Sequence, residues 1–421
     1  MIKILNIINS HVLGFSIKER IFILTAMMST FCICAEYAVI RPVSNSVFIH
    51  AYTSQFFPIA WLATIPLNLL IISLYNRYLS RWGIWRMFLT LGLTVIGNSL
   101  FCALLLKELS GLPFLFYLWK DIYIMLMLQQ VWSVINATID MKRAKYLYGL
   151  IFGVGGLGSV FGSFISGFFA VKMGSENLLF FTLPLYTLLL TIFYFMLKHG
   201  GEECHAIKTK IKPDFWEGTR LIIKSKYLLF ILSLVIFMQF STTILDYQFH
   251  HYLERTILDK DLRTQFSGRT MGLINIITVI LQFCGTFLLV HFLGLRLSHF
   301  IIPCLLCLNA ITFLLFPVFG MITFSFITIK AFDFSLFGVI REMLYIPLSI
   351  TEKFRAKAII EIFAYRSSKS LASLFILFLQ WIATSHILSI LTWGSLLLFL
   401  GWGVLVAFFF KQALVINKES I

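Results

Sequence analysis

Charge is scarce in this chain. Only 13% of its 421 residues are Asp, Glu, Lys or Arg, against 59% hydrophobic, where a soluble domain carries about 25% charged residues. That excludes a cytosolic globular enzyme. Acids are the scarcer sign, 19 against 34 bases for a net charge of +15. Catalytic signatures are missing as well. No P-loop occurs, so ATP hydrolysis does not power the protein, and no HExxH, GxSxG or histidine cluster occurs either. The seven Cys are scattered through apolar runs without framework spacing, which excludes a disulfide scaffold and reads as packing. Cys304-x-x-Cys307 lies mid-run with no second pair, so neither a metal nor a cofactor is expected. Gly153-x-Gly155-x-x-Gly158 lacks the preceding strand that a dinucleotide site needs.

Apolar length is abundant instead. With 45 Phe and a mean hydropathy of +0.90, the chain accommodates many spans of about 20 residues. Hydropathy and turn signals place them at 21–40, 56–75, 87–106, 114–135, 148–169, 178–197, 228–247, 271–290, 300–319, 321–340, 358–382 and 390–410. The expectation is an all-α polytopic membrane protein of twelve transmembrane helices. The longest polar connection, 198–226, divides it into an N-terminal six-helix bundle (1–197) and a C-terminal one (227–421), as in carriers built from two repeats.

Orientation follows from counting bases. With both termini cytoplasmic, inside segments hold 22 of the 34 Lys and Arg and outside loops six, which satisfies the positive-inside rule. Most of the net charge is therefore topological and does not imply nucleic acid. The first apolar run follows Lys18 and Arg20 with no cleavage site, so neither a signal nor a transit peptide is expected, and the envelope expected is a bacterial inner membrane. His250 and His251, near the end of the seventh span, are expected at the membrane interface.

Six bases fall in or at the ends of spans: Arg41, Lys120, Lys330, Arg341, Arg366 and Lys369. Glu36, Asp121, Asp246, Asp333, Glu342 and Glu361 lie at comparable depth. A charge at a helix centre costs about 2.5–3.5 kcal/mol even on the lenient insertion scale, so these side chains should face a bundle interior or wet cavity. Structural pairing and snorkelling from span ends are the plainer alternatives. Two six-helix halves around a polar cavity imply a solute carrier, and the cavity's bases favour an anionic solute. In the fifth span, Gly149, Gly153, Gly158 and Gly162 form small-xxx-small pairs that should admit a neighbouring helix closely.

Several stretches carry a family resemblance. Asn76 to Arg86 looks like the basic turn between the second and third spans of major facilitator transporters. Phe334-Ser-Leu-Phe-Gly-Val-Ile-Arg-Glu-Met-Leu-Tyr-Ile-Pro-Leu348, then Lys353-Phe-Arg-Ala-Lys-Ala358 and Tyr365-Arg-Ser-Ser-Lys-Ser370, resembles the ATP/ADP translocases of intracellular bacteria and plastids. Those proteins carry a K-E-M-x-Y-I-P-L run, a lysine-rich turn and R-x-x-K-S there. Trp132-Ser-Val-Ile-Asn136, Lys142-Arg-Ala-Lys-Tyr-Leu-Tyr148 and Ile40-Arg41 extend the resemblance to both halves. It implies a major-facilitator-like carrier, not an enzyme, that exchanges or imports nucleotides or related cofactors.

Residue by residue, Glu342 matches the acid of the E-M-x-Y-I-P-L run and Lys369 the lysine of R-x-x-K-S. Where the family reads L-R-x-x-K-D, Arg41 is kept while Ser44 and Asn45 replace the Lys and Asp; Lys120 stands where the family has a glutamate. These departures put ATP/ADP exchange itself in question. Arg41, Lys120, Arg366 and Lys369 are expected to bind anionic groups, Arg by bidentate hydrogen bonds and Lys as a point charge. Glu361, Tyr365 and Lys369 share one helix face at i, i+4 and i+8, where Tyr365 either stacks on a base or packs. Asp121, Asp333, Arg341, Glu342 and Glu361 are the expected gating or coupling residues, with Glu342 close to the helix-breaking Pro347. The expected partners are an anionic small molecule and the lipid bilayer, with no nucleic acid and no obligate protein. A proton-coupled carrier of another solute and a non-transporting receptor or scaffold are the alternatives.

Overall fold

The computed structural model describes residues 16–139, 141–200, 215–282, 286–338, 341, 344, 360, 365–382 and 387–419. Among them the chain is helical: α1 Ile17–Tyr52, α2 Phe57–Leu105, α3 Leu112–Thr138, α4 Met141–Met173, α5 Thr182–His199, α6 Phe215–Lys224, α7 Lys226–Thr256, α8 Lys260–Ile280, α9 Thr286–Leu315, α10 Phe319–Phe332, α11 Tyr365–Ile382 and α12 Ile387–Glu419. The described stretches hold seven segments long and apolar enough to cross a membrane, two of them within α2. Gly83, at φ +74°, interrupts the helical backbone of α2 near the junction of the two apolar segments, 54–79 and 81–105. Only glycine adopts that φ without steric cost, so the break sits inside the basic turn read from the sequence. The protein is an integral, multi-pass membrane protein.

Local chemistry fixes several helix starts. Ser16 and Glu19 form a reciprocal capping box, with Ser16 N–H to Glu19 Oε2 at 2.8 Å and Glu19 N–H to Ser16 Oγ at 3.3 Å. Ser225 and Asp259 cap α7 and α8 by accepting from Leu228 N and Leu262 N. The first helix outruns the expected 21–40 at both ends. Pro42 lies inside it, so Arg41 is a mid-helix residue rather than a span end. α7 likewise continues past 247 to Thr256, so His250 and His251 lie within the helix. Both are only 5% exposed and pack inside the protein.

The described residues form two compact units. Unit 1 comprises 1–47, 66–209 and 264–272. Its core is Ile33, Val43, Phe88, Phe116, Met127, Val131 and Phe193, with Phe88 and Phe193 stacked at 3.6 Å. Within it α4 runs against α1. A Cβ on Gly158 would overlap the Phe31 carbonyl and one on Gly162 the Ala35 carbonyl, whereas Gly149 has open space. Close approach therefore uses Gly158 and Gly162 of the glycine series. Residues 264–272 pack on the same helix: Gly268 abuts Ser166 and Gly167, and Arg269 Nε donates to the Gly167 carbonyl at 2.9 Å.

Unit 2 comprises 48–65, 210–263 and 273–421. Its core includes Leu234, Met238, Leu306, Ile329, Phe399 and Trp402. Large apolar side chains such as Leu69, Leu104, Trp381 and Leu397 point outward in both units, as helices bathed in hydrocarbon require, because lipid rather than water covers them.

Candidate functional site

Charge inside unit 1 collects where α1 meets α3. Lys120, 2% exposed, pairs with its chain neighbour Asp121 at 3.0 Å and lies 3.9 Å from the Tyr117 ring centroid. An unpaired ammonium at this depth carries a large desolvation cost, which the carboxylate and the aromatic face offset. Tyr37 on α1 donates its hydroxyl to Asp121 at 3.1 Å. In the reverse direction Tyr123 on α3 donates to the wholly buried Glu36 at 2.7 Å. An adjacent acceptor and donor on α1 thus meet a donor and an acceptor on α3. Arg41 lies four residues beyond Tyr37 and shares its helix face. Ser44 and Asn45 are buried one turn on, with Ser44 Oγ donating to the Arg41 carbonyl at 3.1 Å.

Unit 2 has its own ionic centre, built over a longer range. Lys330 on α10 pairs with Asp246 on α7 at 2.8 Å. Shortly after Lys330 the helix widens into a π turn over Asp333–Phe337, a distortion concentrated at functional sites. Asp333 experiences Lys330 and Arg341 as attractive charges and Asp246 as a repulsive one. Arg341 also lies 5.4 Å from the Phe337 ring. Further along, Lys369 on α11 places its ammonium 5.1 Å from the centroid of Trp61.

Of the residues singled out in the sequence, Lys120 and Asp121 come together in unit 1, with Arg41 on the adjoining helix. Asp333 and Arg341 share an electrostatic neighbourhood in unit 2, and Lys369 occupies a separate aromatic seat there. Glu342 and Glu361, and the side chains of Tyr365 and Arg366 at the start of α11, lie outside the described residues. Sequence reading noted Glu36, Asp246 and Lys330 as deep charges but did not pair them, and it missed Tyr37, Tyr123 and Trp61. Asp246 and Lys330 are 84 residues apart, a separation that helical periodicity does not register. The tyrosines carried a usable signal, since each hydroxyl sits on an otherwise apolar helix and must find a partner when buried.

Parts of the chain, and its fold, resemble known proteins. Residues 318–412 match the family model described as TLC ATP/ADP transporter. The chain is similar to ADP,ATP carrier protein 3 of Rickettsia prowazekii (strain Madrid E), 25% identical over 307 residues, which are 61% of this chain and 60% of that protein. The chain thus spans about 60% of the length of the curated relative it matches. Among solved structures it resembles a bacterial homologue of the iron transporter ferroportin in an inward-facing state (TM-score 0.64, 13% identity, 93% of this chain and 99% of that one). It also resembles a D-xylose-proton symporter (TM-score 0.62, 12% identity, 91% and 96%) and the nucleoside transporter NupG (TM-score 0.58, 14% identity, 94% and 99%). At these identities the likeness establishes the fold alone, an all-helical, major-facilitator-like architecture.

Proposed function

We propose that this chain is a divergent member of the ATP/ADP translocase family and a secondary-active carrier that exchanges or imports a nucleotide, or a related anionic cofactor, by alternating access. The observation that carries the reading is the family match over 318–412, which takes in Lys330, Asp333, Arg341 and Lys369. Buried bases in both units support it, because a cation retained at such depth is costly unless it serves an anion or a partner. In this reading Arg41, Lys120, Arg366 and Lys369 hold phosphate or carboxylate groups and Tyr365 stacks on a base. Asp121, Asp333, Arg341, Glu342 and Glu361 exchange ionic partners as the halves 1–197 and 227–421 rock about the linker 198–226. The membrane is a bacterial inner membrane, with both termini cytoplasmic.

Uptake of labelled ATP, ADP and NAD by proteoliposomes, empty or preloaded with unlabelled nucleotide, tests the proposal. Uptake that depends on preloading establishes exchange; no uptake of any of the three by folded protein removes the nucleotide reading. Glu342→Gln and Lys369→Ala should each abolish uptake while leaving membrane insertion intact. The second reading is a proton-coupled carrier of another small anion, with Asp333 or Glu342 as the titrating group. It requires uptake that follows an imposed pH gradient without internal substrate.

A further inference from the structure

Residues 48–65, the end of α1 and the start of α2, belong to unit 2 although both flanking stretches of the chain belong to unit 1. Their anchorage is unusually specific. At the corner, Ser54 donates its backbone N–H to Glu254 Oε2 at 2.8 Å, donates its hydroxyl to the same carboxylate, and contacts His251 Nδ1 at 3.1 Å. Gln380 Nε2 bonds the Gln55 carbonyl at 3.1 Å and the Tyr247 hydroxyl at 2.9 Å. Thr53, just before the corner, is held at φ +66°, a strained backbone that persists only where surrounding contacts over-determine it.

The far end is held differently. Trp61, 3% exposed, stacks on Phe57 at 5.8 Å, and Phe57 in turn stacks on Phe48 at 4.8 Å and lies 4.7 Å from His250. Over the end of this aromatic column sits the Lys369 ammonium, and no carboxylate among the described residues pairs with it. One helix, α11, thus holds the segment at two points, Gln55 through Gln380 and Trp61 through Lys369.

We propose that Trp61 is the resting seat of Lys369, and that an anionic ligand draws the ammonium off the indole face and thereby loosens segment 48–65 from unit 2. The proposal rests on the nucleotide-carrier reading for its ligand, a phosphate-bearing anion. An ammonium is a compact point charge with three rotatable donors, and a ring quadrupole competes poorly with a full negative charge for it. The lysine has two mutually exclusive partners, so ligand binding and release of the segment are linked: whatever fills one state empties the other. Trp61 is a positioning residue here, acting through Lys369 rather than on the ligand.

Hydrogen–deuterium exchange on the purified full-length protein in lipid nanodiscs tests it, read on peptides covering 53–65. Without ligand, Lys369→Met and Trp61→Leu should each speed exchange there on the order of tenfold. The double variant should be no faster than either single, since both remove one interaction. Peptides from 182–199 should be unchanged in every variant, and Lys369→Arg, which keeps a cation for the ring, should retain wild-type protection. Millimolar ATP or inorganic pyrophosphate should speed exchange at 53–65 in the wild type and have no effect in Lys369→Met. Unchanged ligand-free exchange in both single variants would overturn the seat, as would a ligand that raises the Tm yet slows exchange at 53–65. If neither anion raises the Tm of any variant, the nucleotide reading and the ligand-driven step fall together, while ligand-free exchange still decides the seat. Should Lys369→Met not accumulate, Trp61→Leu against Trp61→Phe gives the same contrast, with Phe retaining partial protection.

Discussion

Lys120 and Asp121 are consecutive residues of one helix, whereas Asp246 and Lys330 reach each other from two helices, 84 residues apart in the chain. Both pairs neutralise an ammonium that is almost fully buried, yet they depend on different levels of structure. The unit 1 pair is present as soon as α3 is formed, and Tyr37 and Tyr117 refine it. The unit 2 pair exists only once α7 and α10 are packed, so it reports tertiary closure. The more local pair is also the less enclosed, since the Asp121 side chain is 25% exposed and that of Asp246 14%. A charge pair assembled over long range is the more consequential to break, because removing one partner strands the other in a site that packing has already sealed.

That contrast is most directly broken at Lys330. Lys330→Ala should destabilise the protein by about 3–5 kcal/mol, seen as a large fall in Tm, and the charge swap Asp246→Lys with Lys330→Asp should recover part of it. A fall no larger than that of Lys120→Met would show that range does not matter. Lys120→Met should cost less, about 2 kcal/mol, because Asp121 retains Tyr37 and is less enclosed. Packing offers a parallel test of equal scale. Gly162→Ala should cost about 1–3 kcal/mol by forcing α4 off the Ala35 carbonyl, while Gly149→Ala, facing open space, should be neutral or stabilising by up to about 1 kcal/mol. The smallest effect expected is at Glu254→Gln, about 1 kcal/mol, through a weaker bond to Ser54; a limited-proteolysis or exchange measurement on 53–65 localises it.

What the sequence made legible follows physical range. Hydropathy located the apolar helices because a bilayer imposes length on every span. The Gly83 break was foreshadowed by the basic turn around it, and the close approach of a helix to α4 by its glycine series. Which glycines make that approach was not legible, since register against α1 is a tertiary property. The extent of α1 was underread for two reasons. Ser16-x-x-Glu19 was present as a capping signal and went unused, and hydropathy alone does not register that the long helix continues through Pro42. His250 and His251 were expected at the interface from their place near the end of the seventh span; the contact of Phe57 with His250 and the hydrogen bond between His251 and Ser54, each made over nearly 200 residues of chain, were not legible. Of the expected site, the identity of the deep charges was readable and their pairing was not. A count of charges in apolar runs carries no distance between them.

The corner at Ser54 also has a consequence for how the protein is made. Its partner Glu254 lies 200 residues downstream. At ribosomal rates of about 5–20 residues per second, Ser54 and the aromatic column from Phe48 to Trp61 enter the membrane roughly 10–40 s before the helix that receives them exists. During that interval the segment has no docking surface, and a chain halted before residue 256 never acquires one. Biogenesis must therefore keep the first helical hairpin unfinished until α7 arrives, which makes synthesis of the second half the step that completes the first.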